Sequence, residues 1–204
     1  MARPRDADSA KSFDALVQAA LGLIRAEGSF SMRAVAHEAG MTTGAIQYYF
    51  SSRNELIEAC LTGFYDQLRN HLASIVLRAA GEEPNVVIRD VLGELFDFSF
   101  NERHLLRLRS RLAEDRVKSK SGDIFADRFI FQLANAIHRQ TGADEVQTRV
   151  VVFSVAAAFS RLVMLSSGER EALSGVEGDD AMATIRAHAV ESAAGQLQAL
   201  LPKR

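Results

Sequence analysis

Apolar residues recur along this chain at three- and four-residue intervals and nowhere alternate in the manner of a strand, so the pattern predicts helices from end to end. Phe13, Leu16, Val17, Ala20 and Ile24 form one stripe that stops at Gly28. Ser31, whose hydroxyl suits an N-cap, opens a second helix through Met32, Val35, Ala36 and Ala39, ended by Gly40. Thr42 opens a third, with Ile46 and Phe50 facing a shared core. At about two turns each, neither short helix stands without packing. Ser52-Arg-Asn-Glu55 fits a capping box and starts a longer helix through Leu56, Ala59, Cys60, Phe64, Leu68 and Leu72.

Pro84 cannot sit inside a helix without losing a donor and clashing with the turn before it, which marks Gly81-Glu-Glu-Pro84 as a linker. Three further stripes follow: Val87 to Phe98, Leu105 to Leu112, and a phenylalanine-rich one from Ile124 to Ile137. Asp144 with Gln147 caps an apolar helix from Val146 to about Ser166; Gly168 to Asp179 is read as a polar loop, and the last helix runs from Asp180 to about Leu201. The expected fold is therefore all-α with about nine helices. It divides into an N-terminal three-helix module over residues 1–55 and a larger helical domain over 56–204.

Composition changes this picture little. With 48% hydrophobic and 25% charged residues the chain has the make-up of an ordinary globular protein, and Val150 to Leu165, broken by Ser154, Ser160 and Arg161, reads as a buried helix rather than a membrane span. The N-terminus has basic residues but no apolar run behind them, so a cytoplasmic protein is expected. The single cysteine, Cys60, permits no internal disulfide and is read as a small buried hydrophobe. A net charge of −2 gives no overall attraction to nucleic acid, so any DNA binding has to come from a local surface.

Two short helices about a glycine turn, braced by a preceding helix, are the parts of a helix-turn-helix reader whose second helix enters the major groove; the same parts also serve as plain packing units. The residues themselves narrow the choice. The string Ala34-Val-Ala-His-Glu-Ala-Gly-Met-Thr-Thr-Gly-Ala-Ile-Gln-Tyr-Tyr-Phe-Ser-Ser-Arg-Asn-Glu-Leu56 resembles the DNA-binding signature of the TetR family of transcriptional regulators. The likeness extends from Phe13 to Leu56, and beyond it only helix order and length correspond. It implies a recognition helix from Thr42 to Tyr48, with Thr42, Thr43, Gly44 and Gln47 at base edges or adjacent phosphates. Gln47 departs from the family, which usually has tyrosine there; a glutamine amide matches adenine N6 and N7. Tyr48 and Tyr49 are expected at phosphates, the alternative for one of them being the core, and Ser31, Arg33 and Arg53 are further phosphate candidates. Arg3 and Arg5 are candidates for a basic arm. Residues 1–55 hold six Lys or Arg and six Asp or Glu, a formally neutral module.

For the larger domain the resemblance implies an effector pocket and a dimer. Phe96, Phe100, Phe125, Phe129 and Phe159 are candidates to line an apolar cavity, with His104 or Arg107 as polar anchor, although phenylalanines at helical spacing are ordinarily core. The apolar helix and the alanine-rich last helix call for cover on more than one side, from the monomer's own core or from a second copy; the family's four-helix interface puts Phe153, Ala157, Leu162, Ile185, Ala189, Ala193 and Leu197 between subunits. The function so implied is a homodimeric regulator, by family default a repressor, that binds a palindromic operator and is released by a small-molecule effector. No cofactor, metal or membrane is called for: none of His37, His71, His104, His138 and His188 pairs with another at helical ligand spacing. Nor is there a phosphate loop or nucleophile elbow, so the chain is not read as an enzyme.

Overall fold

The computed structural model describes residues 5–78, 81–119 and 125–201, with side chains described for 8–75, 77–78, 81–114 and 130–201. Among them are ten helices and no strand: α1 (Arg5–Glu27), α2 (Met32–Glu38), α3 (Thr43–Tyr49), α4 (Arg53–Arg78), α5 (Pro84–Asn101), α6 (Arg103–Ser119), α7 (Phe125–Thr141), α8 (Glu145–Val163), α9 (Ser167–Ser174) and α10 (Asp180–Gln198). The tenth element is α9, which occupies the segment read from sequence as a loop. Its reason is local. Ser166 accepts from the Glu169 backbone while the Glu169 carboxylate accepts from the Ser166 backbone, a complete capping box, and Gly175 closes the other end. Those carboxylate bonds, together with Arg161, hold Glu169 down to a pKa of about 2.

The chain forms two compact units. Of the described residues, the first takes in those up to Asp66 together with those from His104 to Ser119, so α6 belongs almost wholly to it; the second takes in the others. In the first unit Leu16, Ala20 and Ile24 of α1, Val35 and Ala36 of α2, Ile46 of α3 and Leu56, Ile57 and Cys60 of α4 are all but fully buried. Burial pushes the Cys60 thiol up to about 12, as befits a packing residue rather than a nucleophile. Helix α6 is tied in at two points: the Arg109 guanidinium donates to the Tyr65 hydroxyl at 2.8 Å, and the His104 ring covers Gly28. Gly28 has φ +74°, and a Cβ there would meet His104 Nδ1 at 3.2 Å, so glycine serves both the chain reversal and the close approach.

In the second unit α10 packs on α5, α8 and α9, and α8 packs on α7 and α5. Phe96 of α5 and Phe159 of α8 meet edge to face at 5.2 Å and are nearly fully buried. Two pairs join α5 to α10: Asp97 accepts from Arg186 Nε and Nη2 at 2.7 Å each, and Glu191 accepts from Arg89 Nε at 2.7 Å. Helix α8 is long and apolar enough to cross a membrane, yet only 28% of its apolar stretch is buried. The buried residues Thr148, Val152, Val155, Phe159 and Val163 all lie on one face, and Thr148 satisfies its hydroxyl by donating to the Asp144 carbonyl at 2.7 Å.

Candidate nucleic-acid interface

Helices α2 and α3 are joined by a turn closed entirely by backbone. Ala39, Gly40 and Met41 N–H groups donate to Val35, His37 and Ala36 carbonyls at 2.9, 3.0 and 2.7 Å. The turn needs Gly40 at φ +68°. Both short helices carry the expected caps: Ser31 Oγ accepts from Ala34 N–H at 3.1 Å and Thr42 Oγ1 from Ala45 N–H at 3.2 Å. Ile46 and Phe50 pin α3 to the core, and Phe13 lies against Phe50 with ring centroids 5.0 Å apart. The opposite side of α3 is then uncovered. Thr43, Gly44 and Gln47 are exposed, and Tyr48, at 82%, is the most exposed aromatic side chain among the described residues. Tyr49 is half-buried and holds the Tyr48 ring edge-on at 5.2 Å, so of the two tyrosines it is the one that also packs.

The basic candidates differ in freedom. Arg33 is exposed, whereas Arg53 is half-buried, donates Nε–H to the Phe30 carbonyl at 3.2 Å and lies 4.8 Å above the Phe30 ring. The box at the head of α4 departs from the sequence expectation by one residue. Ser52 Oγ accepts from Glu55 N–H as foreseen, but the Glu55 carboxylate accepts from Ser51 N–H and Oγ–H at 2.7 and 2.8 Å. Those bonds hold Glu55 below the usual carboxylate range and keep it charged. Arg3 lies outside the described residues; Arg5 begins α1, its side chain outside them too.

Of the expected pocket residues, Phe96 and Phe159 fill the space between their helices with each other, and Phe100 is half-buried under the Arg103 guanidinium at 4.6 Å. Phe125 and Phe129 have side chains outside the described residues. His104 and Arg107 belong to the first unit rather than to that of the phenylalanines. The second unit has instead a polar groove of about 480 Å³, lined by Ile75, Arg78, Arg89, Gly93, Glu94 and Arg186 among others. A Cβ at Gly93 would come within 2.8 Å of Arg186 Nη2, so a larger residue there would make the guanidinium shift. Nothing in the residue pattern pointed to this groove, whose members are spread over α4, α5 and α10, with Glu82 between the first two. Among the described residues no three His, Cys, Asp or Glu side chains gather as a metal site.

The expected interface residues separate into two sets. Phe153 and Ala157 are exposed on α8, in line with Val146 and Val150, and Leu162, Ala189 and Leu197 are half-exposed. Ile185 and Ala193 are buried inside the chain, because α10 turns that face to α5 and α8. The uncovered face of α10 instead carries Ala187, His188, Ser192 and Gly195. Gly195 has nothing within 4 Å of where a Cβ would stand. Helical geometry with the burial pattern, and not the apolar spacing alone, was needed to find it.

Residues 16–60 match the family of bacterial regulatory proteins, tetR family. An uncharacterised HTH-type transcriptional regulator in the dhlA 5′ region of Xanthobacter autotrophicus is 28% identical over 95 residues; the alignment spans 46% of this chain and 47%, about half, of that relative. Among solved structures, a TetR transcription regulator from Haloarcula marismortui is similar with a TM-score of 0.60 and 18% identity over 95% of this chain and 100% of its own. The multidrug-binding protein EbrR, solved with imidazole, is similar with a TM-score of 0.60 and 18% identity over 94% of this chain and 96% of its own. At that identity the likeness is one of fold.

Proposed function

We propose that this chain, whose residues 16–60 match the tetR family of bacterial regulatory proteins, is a homodimeric repressor of that family that binds a palindromic operator and leaves it when a small molecule binds. The observation that carries the reading is the two-sided α3: Ile46 and Phe50 fix it to the core, and Thr43, Gly44, Gln47 and Tyr48 are offered outward together. Such a helix enters the major groove, with Arg33, Arg53, Ser31 and Tyr49 at flanking phosphates and Thr42 capping the end that leads. All of these reading residues lie in 1–55; the dimer and the effector site are assigned to 56–204.

A second copy is the proposed cover for Val146, Val150, Phe153 and Ala157 of α8 and for the small-residue face of α10. An apolar helix side left in water is costly, and a two-fold interface hides both copies at once. The effector site is assigned to the second unit, where the groove is of a size that takes a small molecule. An effector works by binding better to the arrangement that spaces the two reading helices wrongly, and the shift it produces is bounded by that difference in affinity. Operator DNA puts the work in the cytoplasm.

Selection of random duplex DNA on the purified full chain tests this, followed by anisotropy of the enriched site at several salt concentrations. The expected result is a palindrome bound by a dimer, with log affinity falling linearly in log salt by about 0.9 for each phosphate neutralised. A folded, dimeric chain that enriches no site would overturn the DNA reading and leave a dimeric small-molecule sensor.

A further inference from the structure

Resting on the DNA-binding reading above, we infer that Gln47 alone supplies bidentate base recognition from α3, and that the base it selects is adenine at one position of each half-site. Helix α3 is Thr-Gly-Ala-Ile-Gln-Tyr-Tyr and contains no Arg, Lys, Asn, Asp, Glu or His. A guanine edge presents two acceptors and is met by the paired donors of Arg or Lys; α3 has neither. An adenine edge presents one acceptor and one donor side by side, N7 and N6. It is met by a planar group with one donor and one acceptor, and Gln47 is the single carboxamide on this helix.

The surroundings favour that use. Ser31 and Thr42 already accept backbone bonds as caps and Arg53 is bound to the Phe30 carbonyl, whereas Gln47 is exposed. Gly44 lies one turn before it on the same side. A Cβ at Gly44 would meet nothing nearer than Thr42 Oγ1 at 3.9 Å, and its backbone is ordinary helix, so nothing inside the chain requires glycine there. A glycine inside a helix is kept at a cost to the helix. Where the molecule itself leaves the space open, what makes use of it comes from outside: the duplex approaches the α3 backbone at Gly44. That approach brings the Gln47 amide, three residues on, down to the base edges. Thr43 and Tyr48, the other exposed side chains, have hydroxyls that bond to several bases or to phosphate, so they do not share the discrimination.

The test runs three full-length proteins, wild type, Gln47→Ala and Gln47→Arg, through the same duplex selection, then measures binding to duplexes differing at the assigned base pair alone. Wild type is expected to enrich an A·T pair at one position of each half-site. Gln47→Arg is expected to move that pair to G·C with the other positions unchanged. Gln47→Ala is expected to lose at least tenfold in affinity for the A·T site and to bind the four bases there about equally. Gln47 is at the surface, so both variants keep the fold, and matching circular dichroism and dimer mass verify it. If wild type enriches a site and both variants enrich the same base at every position, the inference on Gln47 is overturned while the regulator reading stands. If wild type enriches nothing, the reading of α3 as a DNA helix fails first, and this inference with it.

Discussion

Helices α3 and α8 each bury one side and leave the other uncovered, but the uncovered sides carry opposite chemistry. On α3 they are Thr43, Gly44, Gln47 and Tyr48, groups that hydrogen-bond or step aside; on α8 they are Val146, Val150, Phe153 and Ala157, which do neither. A polar face loses nothing by waiting in water and suits a hydrated, charged partner met and left repeatedly. An apolar face is at a disadvantage until covered and suits a lasting contact. Burial on the far side differs as well. Two large side chains hold the seven-residue α3, whereas α8 is buried over four turns through Thr148, Val152, Val155, Phe159 and Val163.

The contrast can be broken most severely from below. Phe50→Ala removes an anchor of α3 and is expected to cost about 3–5 kcal/mol in urea unfolding, with operator binding lost as well. A loss under 1 kcal/mol would mean that α3 does not depend on that contact. The apolar face comes next. The double variant Val150→Glu, Phe153→Glu is expected to halve the mass seen by light scattering at micromolar concentration while helical content is retained. A variant that stays dimeric would move the interface away from α8.

Gly44→Ala sharpens the comparison by separating fold from reading. It is expected to raise stability by about 0.5–1 kcal/mol, since alanine fits a helix better, and to weaken operator binding about tenfold, near 1.4 kcal/mol. Unchanged binding would show that the space beside Gly44 is not used. The smallest effect concerns Glu169. Its folded pKa of about 2 lies below the ordinary 4.5, so its contribution to α9 is complete above pH 4.5 and fades as the pH falls toward 2. Protection of the α9 amides, measured against the intrinsic exchange rate at each pH, should fall over that window in the wild type, and Glu169→Gln should flatten the dependence. An identical profile in both proteins would reassign the acid response elsewhere.

The reading head was largely legible in the sequence because its determinants are local: Ser31 and Thr42 cap within three residues, Gly40 turns the chain, and Ile46 and Phe50 recur at one helical turn. The same local signal stands at Ser166-x-x-Glu169, but the glycine and charges around it pointed to a loop and hid α9. What was not legible depends on partners distant in the chain. The spacing of Ile185 and Ala193 describes an apolar stripe and is silent on whether α5 or a second copy meets it; the structure has α5 and α8 there. Helical spacing makes Phe96 and Phe159 core residues before cavity residues, and does not say that they meet each other edge to face, as they do in the structure. The polar groove gathers residues 75 to 190, a separation no periodicity spans.

Helix α6 gives the reading head a timetable. The unit around α1 to α3 is completed by a segment that begins at His104, with the His104 ring over Gly28 and Arg109 on the Tyr65 hydroxyl. On a ribosome adding about 5–20 residues per second, the stretch from Cys60 to Lys120 takes on the order of several seconds, during which the emerging head lacks its last wall. For anyone building chimeric regulators, the consequence is a seam that cannot follow the end of the signature: a head transplanted as residues 1–60 leaves Gly28 uncovered, and a faithful graft carries α6 along with it.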